Sequence, residues 1–461
     1  MDRRAFLAAA SAPLIASARK RHTNLLFIMS DQHQREASGC YGNSQVKTPH
    51  IDGLAARSVR FDKAYCAAPV CVPSRGSIVT GMYAHSHGAK TLEDALPLSA
   101  RTIGHFFKER GYVTGAIGKM HFVDETRKHG FDHRIDLDNF NQTLTAAEKA
   151  ELRKDQGNPE DVRGRPSSLP ARYFQDDYYA RKTIDFLHHN RNRPFCLWSS
   201  FFKPHTPLVP MREFWDWYRP AELTLPRRSG HDLQDGFPGN LIRAQERGWY
   251  TQTDGDLRES LAGYYGNISQ VDACVGRVDN ALRELGLDKN TVVVYTSDHG
   301  EMAGAHRMWT KHNMYEQSVA VPLIVSMPDR MQAGASQQRL ISHIDLFPTL
   351  AALCGHDTPK NLPGRDFSAL VTGRRYSPRE YVFSEYYFCR TVFTRDNRYV
   401  GKPPILMVRT DRWKLNYLEQ DRSELFDLAN DPGEFRNCID DSANAGVLRE
   451  LTGIARRVHQ T

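Results

Sequence analysis

The sequence of 461 residues is poor in cysteine and has no long apolar run, and each shortage excludes a class of protein. Eight cysteines, with no Cys-x-x-Cys pair among them, do not suffice for a disulfide scaffold and indicate no structural zinc site. No apolar run reaches about 18 residues and the mean hydropathy is −0.56, so we expect no membrane span. The net charge of +7 is spread along the chain without a basic tract, so nucleic acid is not an expected partner.

What the sequence does contain is the composition of a globular protein. It has 40% hydrophobic and 25% charged residues, which excludes a disordered chain. A chain of this length is larger than one compact core usually holds. We therefore expect either one large domain with a smaller one or a single large α/β unit.

The first 18 residues have the order of an export signal. Arg3 and Arg4 precede an apolar stretch that ends in the small residues Ala16-Ser17-Ala18. This order is typical of a secretory signal, and the arginine pair indicates the bacterial twin-arginine type. The alternative is a frayed N-terminal helix. We expect a signal peptide at 1–18 and a mature protein exported to the periplasm or the extracellular space of a bacterium.

Short apolar runs recur along the chain, and most lead through a polar turn into a helix. These runs predict buried strands at 25–29, 112–117, 195–199, 292–296 and 321–325. The clearest amphipathic helix is predicted at 258–285, with Asp256 and Glu259 as a capping box and Gly286 just after its end. Strands alternating with helices predict an α/β fold with a mostly parallel sheet covered on both faces.

The pattern changes after about Arg374, where short strands precede a final helix that begins near Ala445. A run of strands followed by a helix is typical of an α+β unit. We expect a main domain at 19–373 and a C-terminal subdomain at 374–461 with a small antiparallel sheet.

Chemically competent side chains follow the predicted strands. The first strand leads to Asp31 and Gln32, and the strand at 292–296 leads to Asp298 and His299. Ligands of open parallel sheets bind beyond the carboxyl ends of the strands, and these oxygen and nitrogen donors suit a divalent cation. The alternative for each aspartate is a helix N-cap. Two further strands lead to Gly118-Lys119-Met120-His121 and to Lys203-Pro204-His205-Thr206-Pro207.

The sharpest motif is Cys71-Val72-Pro73-Ser74-Arg75. Pro73 suits the first position of a helix, which places Cys71 at or just before a helix N-terminus, where backbone N–H groups favour an anion. From the residues alone, Cys71 is either a thiolate nucleophile or half of a disulfide with Cys66.

Cys71-x-Pro73-Ser74-Arg75, followed by Thr80-Gly81, resembles the sulfatase signature, in which the cysteine is converted to formylglycine. The resemblance covers nearly the whole chain after residue 18, because further family elements follow in order. They are the first metal strand ending in Asp31-Gln32, Gly118-Lys119-Met120-His121, Lys203-Pro204-His205-Thr206-Pro207, Asp298-His299-Gly300-Glu301, Lys311-x-x-x-Tyr315-Glu316, and His343-Ile344-Asp345. The resemblance implies an alkaline-phosphatase-like, doubly wound sheet with a smaller C-terminal α+β domain.

The resemblance also implies a role for each matching residue. Cys71, as formylglycine made by a formylglycine-generating enzyme, would supply the nucleophilic oxygen. The cation would be held by Asp31, Gln32, Asp298 and His299. Arg75, Lys119 and Lys311 would supply positive charge to the transition state. His205 would transfer a proton to the leaving alcohol, and His121 would help to expel sulfate. The expected cation is Ca²⁺. Many sulfatases have two acids where this chain has Asp31-Gln32, and the lower ligand charge of the amide weakens the preference for Ca²⁺, so Mn²⁺ and Mg²⁺ are the alternatives.

These residues predict an exported sulfatase that hydrolyses an organic sulfate ester, such as a sulfated sugar or polysaccharide. The first alternative is a phosphonate monoester hydrolase or phosphodiesterase that uses the same site. An alternative of another class is a non-catalytic anion-binding protein of the same fold.

Overall fold

The computed structural model describes residues 22–124, 127–229, 232–328, 332–392 and 397–460. The predicted signal peptide at 1–18 lies outside the described residues. The strands are β1 (Asn24–Asp31), β2 (Val59–Phe61), β3 (Ala64–Tyr65), β4 (Val113–Gly118), β5 (His133–Ile135), β6 (Phe195–Pro204), β7 (Thr291–Ser297), β8 (Leu323–Ser326), β9 (Ser336–Gln337), β10 (Ile341–Ser342), β11 (Val382–Tyr386), β12 (Ile405–Arg409), β13 (Trp413–Tyr417) and β14 (Glu424–Asp427).

The α-helices lie between these strands in sequence, except the last, which follows the final strand. They are α1 (Pro49–Ala56), α2 (Cys71–Thr80), α3 (Ala84–His87), α4 (Ile103–Lys108), α5 (Leu137–Asn141), α6 (Ala146–Gln156), α7 (Gln175–Asn190), α8 (Arg212–Trp215), α9 (Pro238–Glu246), α10 (Asp254–Glu284), α11 (Glu316–Val319), α12 (Leu346–Leu353), α13 (Ser368–Val371) and α14 (Ala445–His459). No helix in the described ranges is both long enough and apolar enough to cross a membrane.

The main sheet has the strand order β5-β4-β6-β1-β7-β8-β2-β9. Every pairing in it is parallel except the two made by β8, which runs against β7 and β2. The prediction of a mostly parallel sheet is confirmed, and the five predicted strands are β1, β4, β6, β7 and β8. The last of them begins at Leu323 instead of 321, because Pro322 has no N–H to donate to a neighbouring strand.

Helices cover both faces of the sheet, and the residues of β1 show why. Leu25 and Phe27 pack into one apolar cluster with residues of α2, α4 and α12, whereas Leu26 and Ile28 pack into another with residues of α1, α7 and α10. Successive side chains of a strand point to opposite faces, so a strand that is apolar throughout needs a cover on each side.

The long helix α10 begins earlier than the sequence predicts. Its capping box is Thr253 with Asp256, whose side chains accept from each other's backbone N–H at 3.1 and 3.2 Å. The predicted box of Asp256 with Glu259 is wrong. Starting the helix at the earlier box extends it by further residues, and extending a helix does not require a second nucleation step. The helix ends at Glu284, and Gly286 has a φ of 64°, as predicted for a residue after a helix end.

A separate antiparallel sheet with the order β11-β12-β13-β14 forms the C-terminal part. Helix α14 begins at Ala445, as predicted, and its Leu451 and Ile454 pack against this sheet. A buried Lys414 joins the two parts, because its Nζ lies 3.0 Å from Glu316 Oε1 and 2.8 Å from Glu434 Oε1.

Candidate active site

The ends of β1 and β7 bring the two predicted aspartates together. Ser30 pairs with Ser297 in the parallel register, so Asp31 and Asp298 follow neighbouring positions at one edge of the sheet. Potential ligand atoms of Asp31, Cys71, Asp298 and His299 all lie within 4.8 Å of one another, and all four residues are buried. Residues far apart in sequence therefore form one group of donors, which includes three of the four predicted ligands.

Arg75 lies between the two aspartates and contacts both. Its Nη2 donates to Asp31 Oδ2 at 2.9 Å and its Nε donates to Asp298 Oδ2 at 2.8 Å. Helix α2 explains this position, because residues four apart lie on the same helix face and Arg75 follows Cys71 by four. Arg75 is fully buried and does not line the cavity described below.

The charges around the aspartates decide their protonation. Burial and the neighbouring Cys71 would raise the pKa of Asp31, but the positive charges of Lys119 and Arg75 hold it well below its usual range. Burial and the neighbouring Asp31 raise the pKa of Asp298. The repulsion between the two carboxylates, which raises the pKa of Asp298, is what a bound cation would relieve.

The donor set fits a divalent cation. Arg75 and Lys119 contact the Oδ2 atom of Asp31, and Arg75 contacts the Oδ2 atom of Asp298. The Oδ1 atoms face the remaining donors, since Asp31 Oδ1 lies 3.9 Å and Asp298 Oδ1 lies 3.6 Å from His299 Nε2. Ca²⁺, Mg²⁺ and Mn²⁺ all bind carboxylate oxygens, and the imidazole nitrogen is a further ligand that a divalent transition metal accepts.

Cys71 is the first residue of α2, and its side chain faces the donor group. Its Sγ lies 3.2 Å from His299 Nε2 and 3.9 Å from Lys119 Nζ. Burial would raise the pKa of the Cys71 thiol, but Lys119, Lys311 and His299 lower it well below its usual value. The position therefore stabilises negative charge on whatever atom the side chain presents.

Cys71 lies at a helix N-terminus, as predicted, and of its two alternatives the disulfide is not formed. All eight cysteines, which lie in the described ranges, are free thiols, so Cys71 forms no disulfide with Cys66. Helix α2 begins at Cys71 and not at Pro73, which is its third residue. The early position still tolerates proline, because the first four N–H groups of a helix have no partner within it.

Lys311 and His205 form a second pair above Gln32. Lys311 Nζ lies 2.7 Å from His205 Nε2 and also donates to Gln32 Oε1. Burial and the charge of Lys311 lower the pKa of His205 to about 4. His205 Nδ1 lies 2.9 Å from the carbonyl of Thr206, so the neutral imidazole donates from Nδ1 and accepts the Lys311 proton at Nε2.

The side-chain amide of Gln32 contacts Lys311 and Glu301, unlike the side chains of the other predicted ligands, which contact one another. Its amide oxygen accepts from Lys311, and its amide nitrogen donates to the buried Glu301. Sequence reasoning assigned no role to Glu301, although it belongs to the Asp-His-Gly-Glu run. Its Oε1 also accepts from Ala303 N at 3.0 Å, so this carboxylate fixes both Gln32 and the turn after β7.

The loop that carries His205 is held by residues that the sequence does not single out. Asn267 Nδ2 of α10 donates to the carbonyls of Pro204 and Pro207 at 3.4 and 3.1 Å. Asp176 of α7 accepts from Lys203 N at 3.1 Å. Neither residue has a local signal in the sequence, because each acts through a contact with a distant loop.

A cavity of about 670 Å³ opens at this group. The predicted catalytic residues that line it are Cys71, Lys119, His121, His205 and Lys311. His121 hydrogen-bonds with Cys71 and contributes to the low pKa of its thiol. Arg243, Arg247 and Trp249 also line the cavity. A ligand in it would meet cationic side chains at the Cys71 end.

Comparison with protein families gives two matches. A family model described as Sulfatase matches residues 23–356, and a model described as N-sulphoglucosamine sulphohydrolase, C-terminal, matches residues 304–460. Together the two models cover both the main sheet and the C-terminal sheet.

Several characterised and uncharacterised proteins are similar over most of their length. The uncharacterized sulfatase YidJ of Escherichia coli K12 is 32% identical over 94% of this chain and 86% of its own length. An arylsulfatase of Clostridium perfringens is 28% identical over 94% of this chain and 93% of its own. An N-acetylglucosamine-6-O-sulfatase of Bacteroides thetaiotaomicron is 25% identical over 96% of this chain and 88% of its own.

Solved structures resemble the whole described fold. A phosphonate monoester hydrolase of Agrobacterium radiobacter has a TM-score of 0.81 at 23% identity, over 95% of this chain and 96% of its own. A phosphonate monoester hydrolase of Silicibacter pomeroyi has a TM-score of 0.77 at 26% identity, over 94% of each chain. The strand order and these neighbours confirm the predicted alkaline-phosphatase-like α/β fold with a smaller antiparallel C-terminal sheet.

Proposed function

This chain belongs to the sulfatase family and is a sulfuric ester hydrolase, and on that premise we propose that it is an exported enzyme that cleaves an organic sulfate ester through formylglycine at position 71. The products would be the alcohol and inorganic sulfate. The observation that supports this most is the group of donor atoms from Asp31, Cys71, Asp298 and His299 within 4.8 Å of one another. Cys71 of that group lines a cavity together with the cationic side chains of Lys119 and Lys311.

Formylglycine explains why a cysteine stands at position 71. Its hydrate carries two hydroxyl groups on one carbon: the first can displace the alcohol from sulfur, and loss of the second proton can then expel sulfate and restore the aldehyde. A serine ester would need water to attack a second sulfate ester. The conversion requires a formylglycine-generating enzyme as a maturation partner.

The remaining residues have roles that follow from their contacts. Lys119 and Lys311 stabilise the charge on the sulfate oxygens. His205 would take up a proton from solvent at Nε2, the atom that Lys311 contacts, and pass it to the oxygen of the departing alcohol as the S–O bond breaks. Lys311 keeps its own proton and its charge. His121 would accept the proton of the second hydroxyl of the hydrate. It is placed for this role because it hydrogen-bonds with the side chain of Cys71. Arg75 keeps the two aspartates in place.

Asp31, Asp298 and His299 would hold the divalent cation, with Gln32 joining if its amide turns from Lys311. A bound cation lowers the pKa of a coordinated hydroxyl and neutralises sulfate oxygens. Ca²⁺ is our first choice because carboxylate and amide oxygens suit a hard ion, with Mn²⁺ and Mg²⁺ as alternatives.

The substrate class and location rest on relatives and on the N-terminal sequence. The similar N-acetylglucosamine-6-O-sulfatase acts on a sulfated sugar, and a cavity of about 670 Å³ has room for a sugar ring. Residues 1–18 would direct the chain to the periplasm or beyond the cell, leaving a catalytic domain at 19–373 and a C-terminal subdomain at 374–461.

The second candidate is a phosphonate monoester hydrolase, which the Silicibacter pomeroyi neighbour favours at 26% identity and a TM-score of 0.77. Measuring kcat/KM on 4-nitrophenyl sulfate and on phenyl 4-nitrophenyl phosphonate separates the two. We expect the sulfate to be preferred by at least about tenfold. A preference for the phosphonate would replace our first candidate, and no turnover by the modified, cation-loaded protein would favour an anion-binding protein.

His205→Ala tests the proton-transfer role. The variant is expected to lose about 100-fold or more in kcat/KM on an alkyl or sugar sulfate, because an alcohol is a poor leaving group without a proton. The loss on 4-nitrophenyl sulfate should stay below about tenfold, because nitrophenolate leaves unprotonated. Steady-state kinetics on both substrates measure the difference, and equal losses would show that His205 only binds substrate.

A further inference from the structure

Arg243 is a buried guanidinium without a carboxylate partner among the described residues. It belongs to α9, is only 3% exposed and lines the cavity. All the hydrogen bonds recorded for it go to one short segment: Nη1 donates to the His312 carbonyl at 3.1 Å, and Nη2 donates to the Lys311 carbonyl and, at 3.5 Å, to the Trp309 carbonyl. A single side chain therefore binds three carbonyls on both sides of Lys311.

The backbone of this segment explains why it needs such a partner. Thr310 has a φ of 66° and His312 a φ of 76°, so both lie in the left-handed region that residues with a Cβ rarely adopt. The segment belongs to neither a helix nor a strand, and its buried carbonyls need hydrogen bonds from elsewhere. The five donors of a guanidinium in a rigid fork meet that need.

Lys311 stands between these two strained residues and reaches the reacting groups. Its Nζ lies 2.7 Å from His205 Nε2 and donates to Gln32. The lysine ammonium is carried on a flexible four-carbon stem, so its position is fixed only if the main chain that carries the stem is fixed as well. A displacement of about 1 Å at a reacting group can cost about 100-fold in rate.

We propose that Arg243 is a positioning residue for sulfate ester hydrolysis, which holds the main chain of Lys311 so that its ammonium stays between His205 and the sulfate site. The proposal rests on the proposed function of Lys311. Arg243 makes no recorded hydrogen bond to Asp31 or Asp298, and it would act on the reaction only through the 309–312 segment.

Lysine cannot replace arginine here. Its single ammonium has no fork with which to bind three carbonyls, and an ammonium loses its proton more readily than a guanidinium when it is buried. Burial already lowers the pKa of Arg243 to about 10. Arg243→Lys thus keeps the size and most of the charge while removing the geometry.

The test is a double-variant cycle of Arg243→Lys and Lys311→Ala, with two readouts: kcat/KM on 4-nitrophenyl sulfate, and the Kd of inorganic sulfate from calorimetry. We expect Arg243→Lys alone to lower kcat/KM by about 10- to 100-fold and to weaken sulfate binding. In the Lys311→Ala background the same change should cost less than about threefold, because the group that Arg243 positions is gone.

Arg258→Lys is the matched control, because Arg258 of α10 also donates to a carbonyl, that of Leu223 at 2.6 Å, and does not line the cavity. It should change kcat/KM by less than about threefold. Thermal unfolding of every variant is measured alongside, and Arg243→Gln takes the place of Arg243→Lys if the latter does not fold.

Equal losses from Arg243→Lys with and without Lys311 would overturn the proposal, as would an equal loss from Arg258→Lys. If the wild-type protein does not hydrolyse sulfate esters, the proposed function fails instead. The cycle on sulfate binding then still decides whether Arg243 acts through Lys311.

Discussion

Cys71→Ala is expected to lower turnover by about 10⁴-fold or more, because in the proposed mechanism this residue supplies the attacking oxygen and alanine has no group to replace it. The fold should be unaffected. Cys71 is buried but belongs to none of the apolar clusters of the described residues, and its recorded side-chain contacts are with polar groups of the site such as His299 and Lys119. Kinetics on an aryl sulfate and a thermal unfolding curve measure the two effects.

Cys66→Ala is the control for this prediction. Cys66 is buried in the apolar cluster beside Val70 and Val72, and burial raises the pKa of its thiol. The variant should retain activity and lose about 1 kcal/mol of stability. Substantial turnover by Cys71→Ala would refute the nucleophile assignment.

Mass spectrometry of the tryptic peptide 64–75 tests the modification itself. Conversion to formylglycine removes one sulfur and two hydrogens and adds one oxygen. We expect this mass in protein produced with a formylglycine-generating enzyme. Full turnover by protein with an unmodified peptide would contradict the proposed mechanism.

Arg75→Met is expected to have the second large effect, on stability as well as on activity. The arginine donates to Asp31 and Asp298, which are both fully buried. Removing one partner of a buried ion pair costs about 3–5 kcal/mol, because charge is left without compensation. A cation held by the same two carboxylates would supply part of that compensation, so the loss should be smaller in saturating Ca²⁺ than in a chelator.

Denaturant unfolding in a chelator and in Ca²⁺, Mn²⁺ or Mg²⁺ measures this difference, and the ion that restores most stability and activity is the one the site prefers. Arg379→Met is the matched control, since Arg379 is a buried arginine that pairs with the buried Asp345 away from the donor group. Its loss should be the same in every ion. A cation-independent loss for Arg75→Met would argue against an ion held by Asp31 and Asp298.

Local patterns predicted most of the parallel sheet, because a strand buried on both faces must be apolar throughout. They predict less where the chain has no long run, because β2, β5 and β9 have only two or three residues each. The start of α10 was misplaced because Thr253–Asp256 and Asp256–Glu259 are overlapping capping signals, and sequence spacing does not rank them.

The sequence by itself determined which residue types stand at the ends of the strands, and strand direction places Asp31, Asp298 and His299 at the same edge of a parallel sheet. Their meeting with Cys71 is what the resemblance to sulfatases implies. Only the tertiary structure decided which partners the side chains of the site contact. Arg75 contacts a carboxylate 223 residues away, and Lys311 turns to Gln32 across 279 residues. Such choices depend on the charge and packing of groups that become neighbours only after folding, so no local pattern encodes them.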